Sequence, residues 1–292
     1  MTEASSTHAE SPRIPTWLDR LYPLWLWLVL LPSVVLFTII AAPVAILACL
    51  FGGQRFANLR IAALWARLIA RLTPVRVEIE GMENVEPGRS YVVVANHQSQ
   101  YDIPVIYGFC GLDLRWVMKA EIGRIPFVAQ GCRAIGHIFI DRSDPEQARA
   151  AINRAVADLP DGTGVLFFPE GTRSRNGELL RFRKGAFRVA IDRGLPVLPM
   201  TVTGTRAILQ PGSFRVRPGR ARLVIHPPID PDPGAGPRSR TGRREGALRD
   251  SPTQRLSDRA RAAIASGLAP VKTGSGAGCS VNARGGSIHD AP

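Results

Sequence analysis

Apolar positions follow three patterns along this chain. The first is unbroken: from Leu21 to Gln54, "LYPLWLWLVLLPSVVLFTIIAAPVAILACLFGGQ", no residue is charged. A helix crossing a bilayer needs only ~20 such residues, and a buried core helix seldom stays uncharged for so long. The run also exceeds a signal-peptide core, and no small-residue cleavage site closes it cleanly. Residues 21–54 therefore read as a membrane segment behind a polar leader, residues 1–20. Pro32 and Pro43 each remove a backbone donor and favour a kink, so one tilted spanning helix and a re-entrant helical hairpin both fit.

The second pattern is helical. In "RFANLRIAALWARLIARL", residues 55–72, Arg60, Arg67 and Arg71 fall on one stripe, with Ile61, Leu64, Trp65, Leu68 and Leu72 on the adjoining face. This amphipathic element, residues 55–73, suits the lipid headgroup layer. It suits equally a helix packed by its apolar face on a neighbouring domain.

The third pattern alternates. Strand-like runs "RVEIEG" (76–81), "YVVVAN" (91–96), "LRWVMK" (114–119), "HIFID" (137–141), "GVLFFP" (164–169), "VLPMTVTG" (197–204) and "ARLVIHP" (221–227) are separated by helical stretches near 101–110, 145–158 and 184–193. Alternation of this kind over residues 74–230 predicts an α/β domain with a mixed, largely parallel central sheet flanked by helices. Beyond it, residues 231–292 are Pro/Gly-rich and bury too little apolar surface to fold, apart from a short helix near 253–267.

Charge alters this picture only once it is located. The formal net charge is +13. Residues 206–292 hold 15 Lys or Arg against 6 Asp or Glu, so most of the excess lies in the last third. No aromatic-interleaved basic motif accompanies it, so nucleic acid is not expected, and anionic lipid headgroups are the simpler partner. Arg55, Arg60, Arg67 and Arg71 follow the membrane segment, which by the positive-inside rule puts the following domain in the cytoplasm. Cys49, Cys110, Cys132 and Cys279 form no Cys-x-x-Cys pair, as expected of free thiols in a reducing compartment. No metal set can be assembled around the five histidines.

In open α/β sheets ligands collect beyond the carboxyl ends of strands. That rule marks Asn96-His97, Asp141-Arg142 and Glu170-Gly171-Thr172-Arg173. If the chain turns between them, Asp102 can accept a hydrogen bond from one ring nitrogen of His97, leaving the other as a general base. Alternatively, Asp102 caps its helix and His97 is a polar loop residue. In "FFPEGTRSRNGELLRFRKGAF", Gly171 permits close backbone approach to a ligand, and Arg173 offers a planar fork for phosphate, with Arg175 and Lys184 nearby. Glu170 could bond the site or hold Arg173. A plain charged turn is the competing reading. Ser99 lacks a nucleophile elbow, and His137, in an apolar strand, reads as structural.

Taken together, "NHQSQYD", "GHIFIDR", "FPEGTRS" and "LPVLPMTVTG" resemble, in order, the four sequence blocks of the 1-acylglycerol-3-phosphate O-acyltransferase family. The resemblance covers roughly residues 55–228. It implies that His97 acts as general base on the free hydroxyl of a lysophospholipid and that Asp102 orients and charge-stabilises it. The acyl donor would be a thioester, acyl-CoA or acyl carrier protein, with no other cofactor and no metal. Gly171 and Arg173 would belong to the acceptor-phosphate site, with Glu170 and Thr172 shaping it and Lys119 and Arg142 near the phosphate. The implied setting is a bacterial inner membrane with the catalytic domain cytoplasmic. A different lyso-lipid acceptor, such as a lyso-ornithine lipid, fits the same motifs. The rival outside enzymes is a non-catalytic, membrane-tethered basic adaptor, which would not require the His97–Asp102 pair.

Overall fold

The computed structural model of the protein describes residues 22–141, 143–232 and 251–269. Arg142, the leader and the remaining parts of the tail, with Cys279, lie outside the described residues. All seven strand-like runs form strands: β1 Val75–Glu80, β2 Tyr91–Ala95, β3 Asp113–Lys119, β4 Ile138–Ile140, β5 Thr163–Phe167, β6 Val197–Thr203 and β7 Gly219–Ile225. They make one sheet in the order β1-β7-β6-β2-β5-β3-β4. Each neighbouring pair is parallel except the antiparallel β6–β7. The carboxyl ends of β2, β3, β4, β5 and β6 therefore share one edge.

The helices are α1 Tyr22–Leu50, α2 Ala63–Leu72, α3 Asp102–Phe109, α4 Val128–Ile135, α5 Pro145–Ala157, α6 Gly185–Arg193, α7 Thr205–Ile208 and α8 Pro252–Leu268. Strand β2 is buried along its whole length because both sheet faces are covered, which is why it reads as an apolar run rather than an alternation. Val93 and Ala95 pack with Ile69 of α2 and Val105 and Ile106 of α3. Val92 and Val94 pack on the other face with Ile152 of α5, Phe187 of α6 and Ile264 of α8.

Helix α8 is thus part of the domain's second layer. Ser251 caps it by accepting from the Gln254 amide at 3.3 Å, and the Thr201 hydroxyl of β6 donates to the Ile264 carbonyl at 3.0 Å. Gly267 lets the backbones approach, since a Cβ there would stand 2.6 Å from Thr201 Oγ1.

Helix α1 is long and apolar enough to cross a membrane, and it runs as one continuous helix, without the break a hairpin needs. Its opening turns, Leu26–Leu30, are wound as π-helix just before Pro32, where a proline cannot sustain the usual ladder. One side of α1 rests on the domain: Thr38 Oγ1 accepts from Trp65 Nε1 at 3.0 Å, and Gly131 of α4 admits Ala42. The other side leaves Trp27, Leu36, Ile40 and Leu47 exposed. Helix α2, continuous with the helical turns Gln54–Phe56 and Ala57–Ala62, buries Ala63, Ala66, Ile69 and Ala70 and packs against α3, where Ala66 meets Gly108. The buried face is the alanine face, and Leu64 of the leucine face is 55% exposed.

Cys49, Cys110 and Cys132 are free thiols. Burial pushes Cys110 and Cys132 up to about 11, which makes both unreactive.

Candidate active site

Strand β2 lies between β6 and β5, so the loop that follows it meets the loops following both neighbours. Asn96 fixes the start of that loop, donating to the Val202 carbonyl at 2.9 Å and accepting from the Val202 amide at 2.7 Å. His97 comes next, its ring stacked on Phe168 with centroids 3.9 Å apart and 14° between planes. The chain then turns into α3, which returns Asp102 to the ring: His97 Nδ1 and Asp102 Oδ2 are 2.8 Å apart.

Asp102 is fully buried. Besides His97, its Oδ2 accepts from the amides of Gln98 at 2.8 Å and Ser99 at 2.9 Å, and its Oδ1 accepts from the Thr205 hydroxyl at 2.5 Å. Asp102 does not cap its helix, whose N-cap is Tyr101 without a side-chain cap bond; its carboxylate instead ties down the loop before the helix and orients the imidazole. With Nδ1 engaged, Nε2 is the ring nitrogen left for chemistry.

Glu170 lies beneath the site. One carboxylate oxygen accepts from the His97 amide at 2.7 Å and the other from the Leu180 amide at 2.9 Å. Burial pushes its pKa above the ordinary value of 4.5, against the pull of those two amides and of His97. Gly171 has φ +73°, and a Cβ there would strike the Arg183 guanidinium at 2.5 Å. The residue is glycine because of the turn and of a neighbouring side chain.

A cavity of about 620 Å³ opens from this point. His97, Gly171, Thr172 and Arg173 bring polar groups to its wall, and Lys119 lines it too. The remainder is mostly apolar, walled by Ala41, Ala42 and Ala45 of α1, Ile61, Trp65, Ile103, Met118, Phe127 and Ile135. Lys119 Nζ bonds Glu121 at 2.6 Å in an exposed pair that water screens. His137 also lines the wall, with both ring nitrogens engaged: Nε2 with the Tyr107 hydroxyl at 2.8 Å, Nδ1 with the Trp116 amide at 3.3 Å. Ser99 is spent on the Leu209 carbonyl at 2.6 Å. Among the described residues no group of three or more His, Cys, Asp or Glu side chains could hold a metal.

Residues 76–203 match the family model "Acyltransferase". The human 1-acyl-sn-glycerol-3-phosphate acyltransferase alpha is 30% identical over 197 residues, which are 64% of this chain and 67% of that one. The chain belongs to the acyltransferase family. The chloroplastic 1-acyl-sn-glycerol-3-phosphate acyltransferase LPAT1 of Arabidopsis thaliana is 37% identical over 171 residues, 58% of this chain and 48% of that one. The chain thus spans about half the length of such plant acyltransferases. Among solved structures, the 1-acyl-sn-glycerophosphate acyltransferase PlsC from Thermotoga maritima superposes with a TM-score of 0.60 at 25% identity, covering 84% of this chain and all of that one.

The matched acyltransferase region runs from β1 to β6 and contains His97, Asp102 and the 170–173 turn. It ends just before two residues that sequence reasoning passed over, Thr205 and Arg206. Their signal was present, since "TGTR" follows a buried strand as "NH" and "EGTR" do. Phe168 was missed for a different reason: it read as one more apolar residue at the end of β5.

Proposed function

We propose that the protein transfers a fatty acyl group from an acyl thioester, acyl-CoA or acyl carrier protein, to the free hydroxyl of 1-acyl-sn-glycerol 3-phosphate, giving phosphatidic acid. The supporting observation is the 2.8 Å His97–Asp102 pair at the wall of a mostly apolar chamber that Arg173 also lines. Nε2 of His97 takes the hydroxyl proton as the oxygen attacks the thioester carbonyl. Asp102 stabilises the imidazolium. The carbon–sulfur bond then breaks, and the departing thiolate recovers the proton from Nε2. No acyl-enzyme forms. Arg173, with Lys119 and Thr172, holds the phosphate of the acceptor, and the apolar chamber takes the acyl chain. Glu170 acts through His97, whose loop it fixes. The exposed apolar side of α1 and the arginines that follow it support work at the cytoplasmic face of a membrane.

The test is to incubate the membrane-bound protein with labelled oleoyl thioester and a panel of lyso-lipids that includes a lyso-ornithine lipid. Label should enter phosphatidic acid, and His97→Ala should lower the rate by ~10²–10⁴-fold. Near-normal turnover in that variant, or label only in another lipid, overturns the reading.

A further inference from the structure

The turn after β5 holds His97 twice, by its backbone and by its ring. Glu170 accepts from the His97 amide at 2.7 Å. Phe168, two residues earlier, lies against the imidazole with ring centroids 3.9 Å apart and 14° between the planes. Strand alternation sends it there. Phe167 packs with Val92 and Val94 on one face of the sheet, so Phe168 turns to the opposite face, against the cluster that includes Trp116. Trp116 meets it with centroids 5.9 Å apart and a 59° tilt, and itself stacks on Tyr107 at 5.3 Å. The phenyl ring is therefore braced by a buried indole while its own face meets the imidazole.

Asp102 and Phe168 constrain that imidazole in different directions. The Asp102 carboxylate engages Nδ1 at 2.8 Å, and a hydrogen bond to a ring nitrogen lies near the ring plane. Phe168 covers the ring face, across that bond. Either contact alone leaves the ring able to rock; the two together fix where Nε2 points.

The contacts also respond differently when the ring gains a proton. A phenyl face is the negative side of the aromatic quadrupole. A stacked imidazole is held there by dispersion while neutral, and by cation–π attraction as well once charged. The added attraction exists only as Nε2 takes the proton. A contact that strengthens at that moment speeds the chemical step, whereas one of constant strength does not.

We propose that Phe168 is a positioning residue of the acyl transfer, whose π face stabilises the His97 imidazolium as it forms. The inference rests on the general-base reaction proposed above. A ring kept only for its bulk would be replaceable by an aliphatic side chain. Phe168 also lines the chamber, so a third role, contact with substrate, has to be separated from these two.

Fluorination separates them, because fluorine drains the π face and leaves the size and apolarity of the ring nearly unchanged. The full chain is prepared in detergent with mono-, di- and trifluorinated phenylalanine at position 168, alongside Phe168→Leu. Single-turnover rates, which product release cannot mask, are measured with the oleoyl thioester and lyso-lipid that the wild type accepts. The rate should fall stepwise along the series, by roughly tenfold at three fluorines. Steady-state KM for donor and acceptor should stay within about twofold of the wild type. Phe168→Leu should lose about as much as the trifluorinated ring, and the fluorinated series decides the matter if the leucine variant does not fold.

A flat series in an enzyme that His97→Ala disables overturns this inference and leaves the reaction standing. A series that raises KM while the single-turnover rate holds means that Phe168 touches substrate rather than the charge on His97, and overturns it too. Turnover that survives His97→Ala overturns the reaction itself.

Discussion

At the scale of single residues, the site is organised by a fully buried carboxylate. Four donors converge on Asp102 from the His97 ring, the Gln98 and Ser99 amides and the Thr205 hydroxyl. Such a geometry fixes the tautomer and direction of the imidazole while leaving its other nitrogen to the reaction. Glu170 does for the backbone of His97 what Asp102 does for its ring. Arg173 differs from both, because it lines the chamber itself. Arg173→Lys retains one positive charge and loses the planar fork, so the KM for a phosphorylated acceptor should rise several-fold while kcat changes less. Initial rates over a range of acceptor concentrations decide it, and an unaltered acceptor KM would remove Arg173 from the phosphate site.

At the scale of elements, the convergence of loops follows from strand order, since β2 has β5 and β6 as its parallel neighbours. That order is invisible in the chain, although the strands themselves were legible from their β-branched runs. Two helices show why the rest was harder to read. Helix α4 was missed because it is only 8 residues long and Gly131 breaks its apolar pattern, although Pro126 before it and the left-handed Gly136 after it bracket a helix. Helix α2 buries alanines because a close approach to α3 requires small side chains, so a reading weighted by hydrophobicity selects the wrong face. Neither strand nor helix pattern announces the buried polar chain behind the chamber either. His137 bonds Tyr107, whose hydroxyl reaches Asn58, and Asn58 bonds Asp113 at 2.6 Å, the ion-pair partner of Arg115. Burial, helped by Arg115, pushes His137 down from 6.5 to about 3. The unfolded chain takes up a proton near 6.5 while the folded one resists until about 3. Its contribution is therefore complete above 6.5 and drains away as pH falls across that window, by up to about 1.4 kcal/mol per pH unit. Denaturant titrations at a series of pH values should show this slope in the wild type and a flatter one in His137→Gln. Parallel slopes would mean that other groups govern acid stability.

At the scale of the whole molecule, α1 has two faces with two different tasks. Its outer side is an exposed apolar surface fit for lipid, and its inner side closes the chamber with Ala41, Ala42 and Ala45. A helix that only anchored the protein would be dispensable to the reaction in detergent, whereas a helix that is also a wall would shape which acyl chain fits. Residues 41 and 40 separate these tasks, because Ala41 lines the cavity and Ile40, its neighbour, is 54% exposed on the outer side. Ala41→Phe fills space that the distal end of the chain would use. Each methylene displaced from apolar surroundings costs about 0.8 kcal/mol, roughly a fourfold loss in kcat/KM. Competition among thioesters of graded length should therefore shift Ala41→Phe toward shorter chains, with long-chain turnover falling by tenfold or more. Ile40→Phe adds bulk only on the lipid side, so its length profile in detergent should match the wild type. Were Ala41→Phe to keep the wild-type profile, the acyl chain would have to lie elsewhere, and α1 would be an anchor and nothing more.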